Sequence, residues 1–317
     1  KMATGEESDD ETLGGAKMHS EISGLSDYLA EDEMDALRIC REVVSHLNWS
    51  KKGNQPLNKS LEPKYDKEEL LGILSEDLKS AVDIKEIIAR FADGSKFEEY
   101  KSLYGSSLVC GWANVHGYQI GILGNNGPIY PESAEKGATF IQLCNKRNIP
   151  LIFLQNVTGF LVGKDFERQG IIKKGSQLIN AVSNSTVPHI TFIVGASYGA
   201  GTYAMSGKAY NNRFTFLWPT AKIAVMGPEQ MAGVMSIVRQ AKSKRDGKKF
   251  DKKADDQLKQ MVTDYLEKLS HGLVASSMLT DDGIIDPRDT RDIIGFCLSI
   301  VNNDEIQGAE EYGVFRL

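Results

Sequence analysis

The period of the apolar positions changes along the chain. Leu29, Met34, Leu37, Val44 and Leu47 recur near helical spacing with acids at the front, and predict a helix from about Asp27 or Glu31 to Leu47. Before it, residues 1–24 are acidic and broken by Gly14-Gly15, and read as loop. After it, residues 48–65 are rich in Asn, Lys, Pro and Ser and read as a linker. Helical stretches follow over Lys67–Ser75 and around Asp83–Phe91. The pattern then shortens: Ser107–Val115 and Tyr118–Leu123 predict two strands joined at His116-Gly117 as a hairpin. Next come a helix over Ser133–Arg147, a buried strand over Pro150–Gln155, a helix over Glu167–Ser183, a strand over His189–Val194 and a short helix over Gly199–Gly207. Arg213–Trp218 and Lys222–Met226 predict two more strands, and Pro228 opens a further helix. Asp255–Leu269 and Thr290–Val301 are helical, with a turn at Asp282–Pro287 between them. A strand or strand pair followed by a helix, repeated, predicts right-handed, mostly parallel α/β structure.

The 317 residues are enough for one large domain or two ordinary ones, and 41% hydrophobic with 25% charged residues is globular composition. A net charge of -6 argues against a protein that grips nucleic acid. No run of about 18 apolar residues is present, so no membrane span is expected. Cys40, Cys110, Cys144 and Cys297 form no CxxC pair and read as small buried apolar residues. The five histidines lack HxxxH spacing, and no metal site is expected. The basic run at residues 242–253 reads as a solvated helix end or loop rather than a phosphate or partner site. The Lys1-Met2 opening has no basic, apolar leader behind it and suits a piece of a longer protein. Cytoplasm is the default location, or the mitochondrial matrix for a eukaryotic source trimmed of its leader.

Two glycine-rich segments follow predicted strands: Asn156–Gly163, and Gly195–Met205, which opens a helix. Small residues at a helix start let a ligand oxygen approach unpaired N–H groups, which can hold an enolate or another oxyanion. Tight helix–sheet packing needs the same residue types, and the residues alone leave both readings open. Neither segment is a dinucleotide GxGxxG or a P-loop. Gly195-Ala196-Ser197-Tyr198-Gly199 matches the nucleophile elbow GxSxG, but nothing marks His271 downstream as its partner. No pair of acids stands out, which suits chemistry in which backbone stabilises charge and a cofactor or substrate supplies the base.

Taken together, the chain resembles the carboxyltransferase (β) subunits of biotin-dependent acyl-CoA carboxylases. The segments that carry the resemblance are LGGAKMH at Leu13–His19, DIKEIIARFADGSKFEEYKSLYG at Asp83–Gly105, GILGNNG at Gly121–Gly127 and ESAEKGATFIQLCNKRNIPLIFLQNVTGFLVG at Glu132–Gly163. GASYGAGTYAMSGKAY, WPTAKIAVMGPEQ and DDGIIDPRDTR complete it. The Ser197–Tyr203 form and the closing GVFRL resemble the methylcrotonyl-CoA carboxylase type.

The resemblance implies an α/β, crotonase-like (ClpP/crotonase) fold of repeated β-β-α units. It makes residues 1–50 the tail of an N-terminal, acyl-CoA-holding half, 51–65 a linker, and 66–317 the C-terminal subdomain that faces carboxybiotin. In such enzymes carboxybiotin arrives on a carrier, is thought to release CO2 in the site, and leaves the biotin enolate to deprotonate the acyl-CoA. By resemblance, the backbone amides of Ala200 and Gly201 stabilise that enolate. Gly159 and Phe160 form the other turn, Tyr198 and Gly199 shape the approach, and Thr202 and Tyr203 line it, with Tyr203 where acyl specificity is set. Implied partners are a biotin carboxylase and biotin carrier subunit, the N-terminal carboxyltransferase half and further copies of the chain, often as hexamers; no nucleic acid, membrane or metal is implied. Without the N-terminal half, this chain is expected not to catalyse the full reaction. The rivals are a subunit of a biotin-dependent acyl-CoA decarboxylase coupled to a membrane sodium pump, which would use the same fold, and a non-catalytic carrier-binding scaffold, against which the intact Gly159 and Gly199–Gly201 argue.

Overall fold

Strand alternation and helix caps account for most of the architecture in the computed structural model, which describes residues 5–74, 82–210 and 212–314. The chain divides into two compact units, residues 1–51 and residues 52–317.

The first unit is helical. Asp9 accepts the Thr12 N–H at 2.8 Å and starts α1 (Asp10–Gly14), whose first-turn acids complement the helix dipole. α2 (Ala16–Met18) runs into a π-helical turn at His19–Ser23. The described part of the loop expected over residues 1–24 is therefore helical from Asp10 to Ser23, broken at Gly15, with the acids capping and charging the helix start. α3 (Glu33–Ser45) begins at Asp32, which accepts the Asp35 N–H at 2.8 Å. Its apolar positions Met34, Leu37 and Val44 are exposed.

In the second unit, residues 52–65 are coil, as their composition predicts, and are fastened to the unit. Lys52 N–H donates to Asn303 O, Asn58 N–H donates to Gly117 O, and Leu61 O accepts from Gly94 N–H. A 3-10 turn leads into α4 (Leu70–Ile73); the helix end expected at Ser75 lies outside the described residues. α5 (Ile84–Ala89) buries Ile84, Ile87 and Ile88 on one face, about 1.5–3 kcal/mol per side chain.

Among the described residues, seven strands form one mixed sheet: β1 (Glu98–Glu99), β2 (Leu108–Val115), β3 (Tyr118–Asn125), β4 (Leu151–Val157), β5 (His189–Tyr198), β6 (Phe214–Leu217) and β7 (Lys222–Ala224). β1–β2 and β2–β3 are antiparallel, with the expected hairpin at His116-Gly117; the pairs from β3 onward are parallel. β6 and β7 both pair with β5, β6 along Ile190–Ile193 and β7 along Ala196–Tyr198.

Alternation sorts the strand side chains to two cores. Val109, Ala113, Ile120, Ile122, Ile152, Leu154, Ile190 and Phe192 face one, with α5 and Ile294, Cys297 and Leu298 of α13 (Thr290–Val301). Leu108, Cys110, Leu123, Leu151, Phe153 and Val157 face the other, with α6 (Pro131–Lys146) and α8 (Ile171–Asn184). Between them in sequence, α7 (Lys164–Arg168) is separated from α8 by Gly170, whose φ of 81° breaks the single helix expected over Glu167–Ser183.

α9 (Ala200–Ala204) follows β5, and α10 (Pro228–Arg245) and α11 (Lys252–Ser270) form an antiparallel hairpin. The basic run sits at its tip, mostly on the last turn of α10 and the first of α11. α12 (Gly272–Ser277), not anticipated from the sequence, is capped by His271. Three cysteines are buried, while Cys40 is exposed, which corrects the reading of all four as core residues. Among the described residues no helix is long and apolar enough to cross a membrane.

Candidate functional site

The site forms where the parallel strands end, the edge at which open α/β sheets place ligands. β4 and β5 lose register there: Gln155 pairs with Ile193, but Val157 pairs with Ser197. Asn156 fills the irregularity and accepts the Ala196 N–H at 3.1 Å. A Cβ at Gly195 would stand 2.4 Å from Asn156 Oδ1, so the bulge needs glycine. For this reason β5 continues through Gly195-Ala196-Ser197 to Tyr198, all buried, where the sequence suggested that the strand ends at Val194.

Gly199 then turns the chain with φ 57° and ψ -138°, a conformation suited to glycine, and its N–H donates to Ala224 O at 3.0 Å. Among the described residues, the N–H groups of Ala200 and Gly201 find no acceptor. Gly201 is buried and Ala200 exposed. A Cβ on Gly201 would lie 2.8 Å from Val157 Cγ2 and 3.2 Å from the Cα of Gly159. The two small-residue turns therefore meet at Gly159 and Gly201. The Gly159 turn is anchored on the other side: Ile129 N–H donates to Gly159 O at 3.0 Å, and Leu161 N–H to Ile129 O at 3.1 Å.

Gly199, Ala200, Thr202 and Tyr203 form one wall of a cavity of about 580 Å³. Its opposing surface is apolar, with Ile223, Val225, Leu269 and Met278. Tyr203 is exposed and packs edge-on against Tyr210, with ring centroids 5.8 Å apart. Lys208 also lines the cavity and is engaged by Asp282 at 2.8 Å.

Two expected site residues turn elsewhere. The Phe160 ring packs toward α8, where a Cβ on Gly175 would meet it at 2.9 Å. Tyr198 is buried, and burial together with the Glu267 carboxylate pushes its phenol up to about 12. Neither lines the cavity.

The nucleophile-elbow alternative fails on geometry. Ser197 is fully buried, and its Oγ donates to Gln155 Oε1 at 2.6 Å and lies 2.9 Å from Thr202 Oγ1. No histidine reaches it: His271 accepts the Leu273 N–H, and His189 lies between Ser206 and Ser185. Among the described residues no cluster of His, Cys, Asp and Glu is arranged to hold a metal. Sequence reasoning does not single out Gln155; the available signal is the amide pair Gln155-Asn156 inside the otherwise apolar run Leu151–Val157.

Residues 1–313 match the carboxyl transferase domain family. The chain belongs to this family. This carboxyl transferase domain is 55% identical over 318 residues to a probable biotin-dependent acyl-coenzyme A carboxylase beta2 subunit of Mycobacterium tuberculosis, covering 100% of the chain and 60% of the relative. It is 45% identical to the mitochondrial methylcrotonoyl-CoA carboxylase beta chain of Dictyostelium discoideum, covering 100% of the chain and 54% of the relative. Among solved structures, the beta subunit of P. aeruginosa geranyl-CoA carboxylase superposes with a TM-score of 0.85 at 42% identity, over 99% of this chain and 60% of that one. Transcarboxylase 12S, described as a hexamer assembly with hydrolysed methylmalonyl-coenzyme A bound, gives 0.72 at 30% identity, over 100% of this chain and 61% of that one. The fold of this carboxyl transferase domain is the crotonase-like fold of those β subunits. The chain spans somewhat over half the length of these relatives.

Proposed function

We propose that this chain is the carboxybiotin-facing part of a biotin-dependent acyl-CoA carboxyltransferase. Residues 66–317 are that subdomain, and residues 1–50 are the tail of an acyl-CoA-holding half supplied by the rest of the protein or by another chain. The observation that carries the reading is a cavity lined by Gly199, Ala200, Thr202 and Tyr203, at a turn where the N–H groups of Ala200 and of the buried Gly201 have no acceptor among the described residues.

Carboxybiotin on a carrier would supply the transferable carboxyl group. The residues suit a neutral bicyclic urea. The N–H groups of Ala200 and Gly201 point donors at its carbonyl oxygen, each worth ~3–4 kcal/mol as negative charge develops there. The apolar surface of Ile223, Val225 and Met278 packs its ring. The donors are backbone groups, preorganised by the Gly199 turn, and need no reorientation during the reaction.

The acyl group is assigned to the branched, unsaturated class. Relatives at 42–46% identity are named for methylcrotonoyl-CoA and geranyl-CoA. The exposed Tyr203 ring offers such a group a flat apolar face. A biotin carboxylase and biotin carrier, further copies of the chain in a hexamer, and a cytoplasmic or mitochondrial matrix location complete the proposal.

Carboxyl transfer run in reverse tests it. The chain is mixed with free biotin and carboxylated acyl-CoAs, with and without a polypeptide supplying the N-terminal half. Biotin-dependent decarboxylation that appears only with that half is the expected result. An assembled complex that is inactive across the acyl-CoA panel would sink the reading and favour a carrier-binding scaffold.

A further inference from the structure

Behind the cavity wall lies a side-chain network that donor chemistry alone does not require. Gln155 on β4 and Ser197 on β5 are fully buried on the sheet face that also carries Leu151 and Phe153. Ser197 Oγ donates to Gln155 Oε1 at 2.6 Å and lies 2.9 Å from Thr202 Oγ1. Gln155 Nε2 donates to Met205 O at 2.7 Å. One amide is thus tied to the segment 199–205 at two points: at Thr202 in its middle, through Ser197, and at the Met205 carbonyl at its end.

Apart from the burial of Ala204 and Met205 and the packing of Gly201 on Val157, few contacts hold that segment. β5 pairs with β4 only as far as Ser197 and with β7 as far as Tyr198, and α9 has five residues. Gly199 N–H to Ala224 O, Ser206 N–H to Tyr203 O and Gly207 N–H to Thr202 O, at 3.0, 3.3 and 2.8 Å, are its other backbone ties to flanking chain among the described residues.

We infer that Gln155 and Ser197 are positioning residues for carboxyl transfer. They fix the cavity wall that carries Gly199, Ala200, Thr202 and Tyr203, and they touch no substrate themselves. The inference rests on the function proposed above. The Gln155 amide uses its oxygen as acceptor and its nitrogen as donor, so it cannot turn over without losing both bonds. Gln155→Glu keeps the shape but turns an acceptor toward Met205 O. Ser197→Ala removes the link to Thr202, and Ser197→Thr keeps the hydroxyl. A misplacement of about 1 Å at a reacting centre costs roughly 100-fold in rate.

The test uses the full-length enzyme that contains this chain, with its biotin-carrying partner. Steady-state carboxyl transfer and amide hydrogen exchange are measured on S197A, Q155E and S197T. Ser236→Ala is the control; it removes a buried hydroxyl bond to Asp255 between α10 and α11, away from the cavity. The expected result for S197A and Q155E is a fall in kcat of about 10- to 100-fold with KM for acyl-CoA within about twofold. Exchange at residues 200–205 should quicken while residues 190–194 stay protected. S197T should recover most of the rate, and S236A should leave kcat and the 200–205 amides unchanged at a comparable loss of Tm. If Q155E does not fold, S197A and S197T carry the comparison. Unchanged kcat or unchanged exchange at 200–205 in S197A would overturn the inference, as would a rise in KM alone. Failure of the wild type to transfer carboxyl groups would overturn the proposed function and this inference together; an active wild type with unaffected variants would overturn only the inference.

Discussion

At the scale of single residues, Ala200 and Gly201 separate access from packing. Ala200 is exposed on the cavity wall, so Ala200→Phe should leave the fold intact and fill the site. Carboxyl transfer should fall at least 100-fold, about 2.7 kcal/mol of transition-state stabilisation, with an unchanged urea midpoint. Gly201 is buried, and a Cβ there meets Val157 at 2.8 Å. Gly201→Ala should therefore lower stability by about 1–3 kcal/mol in urea unfolding as well as slowing transfer. Equal urea midpoints for wild type and Gly201→Ala would show that the turn relaxes freely and that packing does not fix it. The packing reading of Gly201 is met by its contact with Val157, and the proposed oxyanion role is compatible with it, because the Gly201 N–H is left without an acceptor among the described residues. The order of small residues made the turn legible in the sequence. It did not reveal that Tyr198 is buried and that the half-buried Phe160 ring packs toward α8, because those placements depend on the β4–β5 bulge and on the turn after β4.

At the scale of elements, the join of β4 to β5 sets the wall's position. Gly195 has no room for a Cβ because Asn156 Oδ1 takes that space to accept the Ala196 N–H. Gly195→Ala should cost about 1–3 kcal/mol, and Asn156→Ala should cost a comparable amount by leaving the Ala196 N–H unpaired. The double variant should lose less than the sum, because the clash disappears with the amide. A double-mutant cycle by urea unfolding checks this, and strict additivity would mean that the bulge tolerates both side chains. The same join marks the limit of sequence reading. Elements with plain periodicity are legible: α13 has the expected ends, and the β2–β3 strands differ from expectation by one or two residues. β5 was read as ending at Val194 because Gly-Ala-Ser looks like a turn, although here the small residues serve a strand crossed by Asn156. The α7–α8 break is not legible because a lone Gly170 between helix-compatible residues carries no stop signal of its own, and its left-handed backbone separates the helices. α12 was missed because its six residues are too few to show a period.

At the scale of the whole second unit, distant segments are locked by buried polar groups. Arg291 on α13 lies 2.8 Å from Asp93, donates to Phe91 O, Leu61 O and Ser60 Oγ, and so ties residues 60–61 to the sheet. Asp93 in turn accepts the His116 and Gly117 N–H groups of the β2–β3 turn. Arg291→Met leaves Asp93 buried without its cation and should cost about 3–5 kcal/mol in urea unfolding; a loss below 1 kcal/mol would show that the clasp is idle. The clasp gives the unit a strong ion pair, whereas His189 gives it a pH limit. Its ring is buried between Ser206 and Ser185 and against Phe153, and burial holds it down to about 4, below the ordinary 6.5. The folded state keeps the ring neutral while the unfolded chain protonates it. Between pH 6.5 and 4 the unfolded state therefore binds more protons, and stability falls as the pH drops through that window. The full contribution, about 3 kcal/mol, is present above pH 6.5 and gone below pH 4. Aspartates held below their usual range, such as Asp286 at about 2, act only below about pH 4, so the two effects separate. Urea midpoints across pH 4 to 7 should decline for the wild type and flatten for His189→Gln, and the same decline in both would assign the acid sensitivity to another group.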